Sequence, residues 1–455
     1  MFHVKHFKVM KKQILFLIIA ILLTASAISG CANIDIDTDG VSDGMSDGGP
    51  AASGDVSDVS LPDYNGFSDV ITIATTDTSP FVAYEDTVGT LSAAIDERDQ
   101  KLAQKYSVEI RTSYYTEEQV LAGSATSGLS GLKFANLYCF SADVTMQLGI
   151  SGRLCDLSSL PDFDKICDTV GRENVLYGTD GSASALVHSS TLYQQSAYCV
   201  FYNRQLIKSS GLADPAVLYV ENKWTYDEFL RYSHTVASEI MNKGSIDYEN
   251  DVFGFSFADT SETLTAVLWH SQGQDLLSDI GEEPTLYQDL TAQNKVADRL
   301  CDVFNDRSRY DKDGSKAAEL FKSGRCGMLI YKLDYCKSLD DSDIEYGVIP
   351  LPDGRGYVDG DALVYSFSSD AEPEYSSAVI LSLLISSGDS FKNALCDSYT
   401  LLYSRNNATT VMIERVISSA GLNNEYLLSA ADEVYKKLIS DRIYKAVAKG
   451  YDLAG

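Results

Sequence analysis

The sequence is short of positive charge. Lys and Arg number 36 against 65 Asp and Glu, a formal net charge of −29, so a phosphate backbone would be repelled along most of the surface and nucleic acid is excluded as a partner. Histidine is scarce too: beyond His3 and His6 there are only His188, His234 and His270, too few and too scattered for a histidine-rich transition-metal site. No C-x-x-C pair occurs. Cys139, Cys155, Cys167, Cys199, Cys301, Cys326, Cys336 and Cys396 are all well separated, which removes zinc-ribbon spacing. Several sit inside apolar patterns such as residues 136–140 (NLYCF) and 197–202 (AYCVFY), so free, buried thiols are expected rather than disulfides. There is no H-E-x-x-H and no Gly-Lys pair, which excludes the helical zinc-protease motif and the phosphate-binding P-loop. Acids are abundant everywhere and no pair stands out for glycoside hydrolysis. No cofactor is implied.

Residues 1–12 are basic, and Ile14–Ile28 is one apolar run followed by Ser29 and Gly30. This is the pattern of a secretory signal peptide over residues 1–30, too short and wrongly flanked for a permanent span. Ile28-Ser29-Gly30-Cys31 resembles a bacterial lipobox, which implies that Cys31 becomes an acylated first residue; the alternative is a secreted chain with an incidental cysteine. No later apolar stretch approaches the ~18 residues of a membrane helix. Residues 31–66 then form an acidic tether: positions 32–66 carry eight Asp, six Gly and five Ser without one Lys, Arg or Glu, a composition that cannot offset the entropy of ordering. Asp35, Asp37, Asp39 and Asp43 follow the spacing of a calcium loop, but its twelfth position is Ser46 rather than Glu. A weak calcium site and a bare spacer are both open there.

The 455 residues leave room for two or three core-forming units. Val70–Thr75 (VITIAT) reads as a strand, apolar residues at 91, 94, 95, 102 and 106 as a helix, and Val108 onward as a second strand; strand, helix, strand opens a parallel α/β sheet. Residues 134–140 form a further buried strand. Thr225 and Glu228 make a T-x-x-E capping box for a helix from Tyr226, and Trp224 is placed to staple onto Phe229. Residues 315–323 read as a helix stopped by Gly324, residues 326–331 as a strand, and residues 345–349 as another before a Pro-Leu-Pro-Asp-Gly turn. Beyond Pro373 the pattern is mostly helical.

Several ordered segments carry a resemblance. Phe201-Tyr202-Asn203-Arg204-Gln205-Leu206, then Gly211-Leu212, Lys223-Trp224-Thr225-Tyr226-Asp227-Glu228-Phe229, Phe321 to Met328 (FKSGRCGM), and Tyr346-Gly347-Val348-Ile349-Pro350-Leu351-Pro352, with Gly152 to Leu157 upstream, are similar to the signature of family 1 extracellular solute-binding lipoproteins of ABC transporters. The resemblance spans roughly residues 67–455. It implies an α/β, two-lobed periplasmic-binding-protein-like (type II) fold with an interlobe cleft and a hinge crossed more than once. Lobe 1 would comprise residues 67–193 plus about 363–401, and lobe 2 residues 194–362 plus about 402–455. The crossings are expected just before Tyr198, near Tyr357 to Tyr365, and after about Leu401. The implied function is binding of a mono- or oligosaccharide without altering it and delivery to membrane permease subunits, by a monomer held on the outer face of the cell membrane through its N-terminal lipid. A surface lipoprotein with glycoside-hydrolase or adhesin activity is the alternative.

Ligands of open α/β sheets sit beyond the carboxyl ends of strands, which nominates Thr76, Asp77, Phe140 and Asp143. Asp143 is read either as an acceptor for sugar hydroxyls or as a helix N-cap. Where many sugar binders of this family carry a stacking Trp, this chain has Tyr331-Lys332-Leu333-Asp334-Tyr335, so Tyr331 or Tyr335 would stack and Asp334 would accept. The resemblance further implies Gln195 and Ser196 at the first crossing, Glu262 and Thr263 in the polar turn after the strand of residues 254–258, and Asp361 after the second crossing. Trp269 faces either core or cleft. Trp224 is read as structural, with sugar stacking as its alternative. The nominated turns hold Asp143, Glu262, Asp334 and Asp361 and no arginine, so a neutral or weakly cationic ligand is expected over a polyanion.

Overall fold

The fold begins with β1 (Val70–Thr75), α1 (Thr90–Tyr106) and β2 (Glu109–Tyr114), the last pairing with β1 in parallel. A computed structural model of the chain describes residues 60–76, 89–130, 134–278, 284–312, 314–353, 356–451 and 453, all within the unit formed by Ser53–Gly455. Cys31, the four tether aspartates proposed for calcium and Asp77 lie outside the described residues.

Two mixed sheets carry the architecture. The first adds β3 (Leu137–Ser141), which runs straight into the helix α2 (Ala142–Ile150), then β4 (Val175–Tyr177), β5 (Ala183–Leu186) and a late strand, β13 (Leu363–Ser366). Their order is β2-β1-β3-β13-β5-β4. β3 continues the parallel pairing on β1, whereas β13 is antiparallel to both β3 and β5. The second sheet is built from β6 (Tyr198–Asn203), β7 (Phe253–Phe257), β10 (Arg309–Tyr310), β11 (Cys326–Lys332) and β12 (Tyr346–Ile349) in the order β10-β7-β11-β6-β12. A small ribbon pairs β8 (Leu277–Ser278) with β9 (Thr285–Leu286).

The residue pattern of β6 explains its position inside the second sheet. All six residues are buried. Tyr198, Val200 and Tyr202 join one apolar cluster and Cys199 and Phe201 another; because successive side chains of a strand point to opposite faces, only a strand covered on both sides can be apolar throughout.

The helix expected from Tyr226 is α3 (Tyr226–Val236). Thr225 accepts the N–H of Glu228 at 3.2 Å, and Trp224 meets Phe229 edge-on at 6.1 Å, so cap and staple both form. The capping box is only half closed. The Glu228 carboxylate bonds Arg231 at 2.7 and 2.9 Å, while the Thr225 N–H goes to the Lys223 carbonyl. Trp224 is 4% exposed and its Nε1 donates to the Pro350 carbonyl at 3.0 Å, which fixes it in the core and removes the stacking alternative. After β7 comes α4 (Ser261–Ser271), buried from Leu264 to its end. A helix over Gly314–Lys322 precedes Gly324, whose φ of +77° is the left-handed conformation that ends a helix. The eight described cysteines are all free, and five of them are buried.

The helix α5 (Pro373–Ser387) is buried on nearly every face despite its serines. Ser382 and Ser387 return their hydroxyls to the carbonyls four residues back, at 2.6 and 2.7 Å, which satisfies them without water.

The connections between the sheets run side by side. Tyr198 donates its N–H to the Tyr357 carbonyl at 2.8 Å, and Val358 donates to the Gly421 carbonyl at 2.9 Å. Beyond β13 and α5, the helix α6 (Asn407–Ser419) packs Ile413, Val416 and Ile417 with Tyr346 and Val348 of β12. The chain then returns past Gly421. α7 (Asn424–Ala431) falls in the stretch expected in lobe 2, and its Leu427 and Leu428 cluster with Ala142, Met146, Ala185 and Val364 of the first sheet and its cover. The last helix, α8 (Ser440–Lys449), packs Ile443, Ala446 and Val447 into the core of the second sheet. The C-terminal region therefore laces the two sheets together.

Candidate functional site

Strand register brings the polar ends of both sheets to one place. Lys332, the last residue of β11, pairs with Tyr198, the first of β6, and Ile330 pairs with Phe257 at the end of β7. Asp259 follows two residues later. On the first sheet Ser141, the end of β3, pairs with Leu363 of β13, and the connection just before it carries Asp359, Gly360 and Asp361.

An ion-pair network results. Lys332 Nζ lies 2.7 Å from Asp359 Oδ2 and 2.6 Å from Asp361 Oδ2. The Tyr198 hydroxyl is 2.6 Å from Asp259 Oδ2 and 3.0 Å from Asp359 Oδ2. A phenol has one proton to give, so two carboxylates compete for it, and burial holds the Asp359 carboxyl above the ordinary range despite the lysine beside it. The Tyr198 hydroxyl and the Lys332 ammonium are both pushed upward, Tyr198 chiefly by burial, Lys332 against burial by its two aspartates. Two carboxylates, Asp359 and Asp361, bond the lysine, Asp143 and Asp334 are close enough to feel its charge, and Asp259 joins the network through the Tyr198 hydroxyl.

Asp143 joins the network from the first sheet, at the start of α2. Ser141 is the N-cap of α2, its Oγ accepting the Val144 N–H at 3.3 Å, so Asp143 does not cap the helix. Its backbone N–H donates to the Gly360 carbonyl at 3.0 Å, its Oδ1 is buried with no partner, and a Cβ on Gly360 would overlap the carboxyl. Burial first, then Asp361 and Asp359, push the Asp143 carboxyl up to about 6. A helix N-terminus ordinarily favours the charged form; desolvation and like charge win here because the side chain is held against other acids.

The remaining nominated residues divide. Thr76 directly follows β1 and is half-buried. Tyr331 is half-buried on β11, with Tyr335 edge-on at 5.5 Å. Asp334 is half-buried and its carboxyl is raised by burial. Gln195 and Ser196 sit at the first connection between the sheets, Gln195 accepting from Lys337 Nζ at 3.2 Å. Asp361 keeps 72% of its side chain exposed while holding Lys332. Glu262 and Thr263 lie in the first turn of α4; Glu262 is exposed, and Thr263 donates its N–H to the Thr260 cap at 3.1 Å.

Three nominations fall in the core. Phe140 is fully buried among Ala74, Tyr138, Val144 and Leu148. Trp269 is also fully buried, in the cluster that holds Leu264, Val267 and Leu268. Tyr335 is 7% exposed, with its hydroxyl on the Ala318 carbonyl at 2.7 Å and its ring against Phe201. None of these offers a free face to a ligand. In each case a residue at a strand end or on an amphipathic stretch points inward, a choice that linear position does not make.

Sequence reasoning did not nominate Tyr198, Asp259, Lys332 or Asp359. Applying the strand-end rule to β7 and β11 as it was applied to β1 and β3 would have found Asp259 and Lys332; Tyr198 and Asp359 become visible only through pairing.

Residues 180–372 match the family model of the bacterial extracellular solute-binding proteins. This stretch, less than half of the chain, is similar to the solute-binding domain of that family. The matched span contains β6, β7, β11 and β13, and with them Tyr198, Asp259, Lys332, Asp359 and Asp361. No curated protein matches the chain. Solved structures with the same fold include a family 1 extracellular solute-binding protein from Bifidobacterium longum subsp. infantis, with 16% identity over 84% of this chain and 95% of that one and a TM-score of 0.52. A cyclic alpha-maltosyl-1,6-maltose binding protein from Arthrobacter globiformis gives 15%, 84% and 95% with a TM-score of 0.54. A sugar transporter from Rhizobium etli in an open conformation gives 14%, 85% and 96% with a TM-score of 0.55. The chain shares the two-lobed α/β fold of these structures, and the family that its residues 180–372 resemble is one of extracellular binding proteins. Among the described residues no helix is long and apolar enough to cross a membrane.

Proposed function

We propose that the solute-binding protein takes a neutral or weakly cationic mono- or oligosaccharide between its two sheets, leaves it unaltered and passes it to ABC permease subunits. The observation that carries this reading is the acidic network of Asp359, Asp361, Asp143 and Asp259 about Lys332 and Tyr198, with the half-buried Tyr331 beside it. Sugar hydroxyls are hydrogen-bond donors that lose water on binding, and carboxylates replace that water with charge-assisted bonds. A tyrosine ring supplies the apolar plane for the sugar's C–H face. The Arthrobacter and Rhizobium proteins, named as a maltosyl-maltose binder and a sugar transporter, agree in chemistry. Asp143, Gln195, Ser196, Thr76, Asp334 and Asp361 are the polar candidates within this reading, and Glu262 and Thr263 lie at its edge. The lobes would be residues 67–193 with about 363–401, and 194–362 with about 402–455, closing on the ligand by hinge motion.

The chain would work as a monomer, attached to the outer face of the membrane through lipid on Cys31. The test is isothermal titration against a panel of neutral sugars, amino sugars and oligouronates, with mass analysis of the recovered ligand. Binding of a neutral or amino sugar that is recovered intact is expected. Release of cleaved sugar at enzymatic rates, or selective binding of an oligouronate that weakens steeply with salt, would overturn the reading.

A further inference from the structure

A second polar cluster lies away from the Lys332 network. His270 at the end of α4, Asp275 in the loop that follows and Glu425 in the first turn of α7 each place one ligand atom within 4.8 Å of the others. The His270 ring is buried and stacks on Tyr357 at 5.9 Å with planes 15° apart. His270 Nδ1 is 3.2 Å from Asp275 Oδ1 and 3.2 Å from the Gln274 carbonyl oxygen. Asn423 Nδ2 donates to the same Asp275 oxygen at 2.8 Å. Glu425 is fully buried; one carboxyl oxygen accepts the N–H groups of Leu276 and Leu277 at 2.7 and 2.6 Å, and the other, Oε1, is buried with no partner.

One acceptor in this arrangement, Glu425 Oε1, has no donor. One ring nitrogen, one main-chain carbonyl and two carboxyl groups converge, and the only cationic candidate among the three residues is the buried imidazole itself. A buried carboxyl oxygen without a donor keeps the full penalty of its lost water, and a divalent cation is a partner that would satisfy it together with one atom each of His270 and Asp275. Two carboxylates and a neutral imidazole also cancel the charge of such an ion, which permits its burial. Ligand atoms at about 2.0–2.1 Å from a tetrahedral zinc ion are separated by roughly 3.3 Å, and the His270 to Asp275 distance of 3.2 Å already meets that spacing. Closing the third edge needs a contraction of the cluster from 4.8 Å. One imidazole nitrogen with two carboxylates selects zinc or a similar transition ion over magnesium or calcium, which prefer all-oxygen sites.

We propose that His270, Asp275 and Glu425 form a divalent transition-metal site that ties the two sheets together beside their connecting strands. His270 and Asp275 belong to the elements packed on the second sheet, whereas Glu425 is carried by α7, whose Leu427 and Leu428 pack with the first. Tyr357, against which His270 stacks, is bonded to Tyr198, and its neighbour Val358 to Gly421. An ion there would pin α7 to the 272–277 loop and stiffen the hinge on which ligand closure turns. The site is independent of what the cleft binds.

The experiment is titration of the full chain, stripped with chelator, with zinc chloride by calorimetry and metal analysis, alongside magnesium and calcium chloride. One zinc per chain is expected, binding at micromolar or tighter, and zinc at a hundredfold excess over Kd should raise the melting temperature by about 3 °C. Glu425→Gln keeps an oxygen for Leu276 and Leu277 but loses the anionic ligand, and should weaken zinc binding by tenfold or more. Asp275→Asn, at a partly exposed side chain, gives the same readout should Glu425→Gln fail to fold. Stoichiometric zinc that also slows hydrogen exchange over residues 421–428 supports the site. Absence of zinc binding below about 100 µM, an equal response to calcium, or zinc affinity unchanged in the folded variants overturns it, the last by placing the ion elsewhere on an acidic chain.

Discussion

Replacing Asp143 with asparagine should make the protein more stable at neutral pH and leave it unchanged in acid. The carboxyl is buried, its Oδ1 has no hydrogen-bond partner, and it is pushed up to about 6 from the ordinary value of 3.8. A rise of about two pH units, at about 1.4 kcal/mol each, corresponds to roughly 3 kcal/mol between the two protonation states. For an acid held above its unfolded value the folded state binds the proton more tightly. Between about pH 4 and pH 6 the native chain therefore holds more protons than the unfolded one, and stability falls as pH rises through that window. Above it the native state carries a buried charge facing Asp359 and Asp361. The asparagine variant would carry none at this position. With an unfolding entropy of about 2.1 cal/mol/K per residue, a gain of about 3 kcal/mol translates into a melting temperature roughly 3–4 °C above the parent at pH 7.5, shrinking to nothing near pH 4. Scanning calorimetry of both proteins at pH 4, 5, 6 and 7.5 reads this difference directly. Two curves that run parallel across the range would refute the account of the carboxyl as a strained, buried acid. The same substitution should weaken sugar binding about tenfold if a hydroxyl donates to Asp143, since a hydrogen bond to a charged group contributes about 1.5–3 kcal/mol; a stability gain accompanied by an affinity loss is the expected pattern for a binding site.

Trp224→Ala removes a ring packed on Phe229 and Tyr232 and leaves the Pro350 carbonyl without its donor, so it should cost about 3–5 kcal/mol in denaturant unfolding while ligand affinity measured well below the melting temperature stays put; a variant that melts like the parent but no longer binds would put Trp224 in the cleft. Lys332→Met leaves Asp359 buried beside Asp361 without its counter-ion, and should cost about 3–5 kcal/mol at pH 7.5 but less as the pH is lowered, because burial already holds the Asp359 carboxyl above the ordinary range; a loss that does not change with pH would show that the lysine acts by packing alone. Gly360→Ala drives a methyl into the Asp143 carboxyl and should cost about 1–3 kcal/mol by thermal melting, with most of the loss recovered in the double variant that also carries Asp143→Ala; simple additivity of the two would contradict the contact.

What the sequence determined by itself was set by short-range chemistry. The unbroken apolar run of residues 197–202 marks a buried segment, and it forms the greater part of β6, covered on both faces. The cap and staple around Thr225 need only neighbours within one turn, and both form; the reciprocal half of the capping box fails because Arg231, one turn on, competes for Glu228 with a full charge. Charge scarcity excluded nucleic acid because that argument sums over the whole chain and needs no fold. Asp143 follows a strand end legible in the pattern, whereas Asp334 and Asp361 come from the family resemblance and its implied crossings. Tertiary structure alone decided direction and company. Phe140, Trp269 and Tyr335 sit where position nominated them, yet their side chains turn into the core, since which face of an element is covered depends on partners far along the chain. The pairing of Tyr198 with Lys332 and Tyr357 brings residues more than a hundred positions apart to one spot. His270, one of five histidines in the chain, has Asp275 close by in sequence but meets Glu425 only because α7 returns after the last connection between the sheets. Proximity of that kind is a property of the folded chain, because loop closure over such separations is favoured only once the apolar clusters on both sheets have formed.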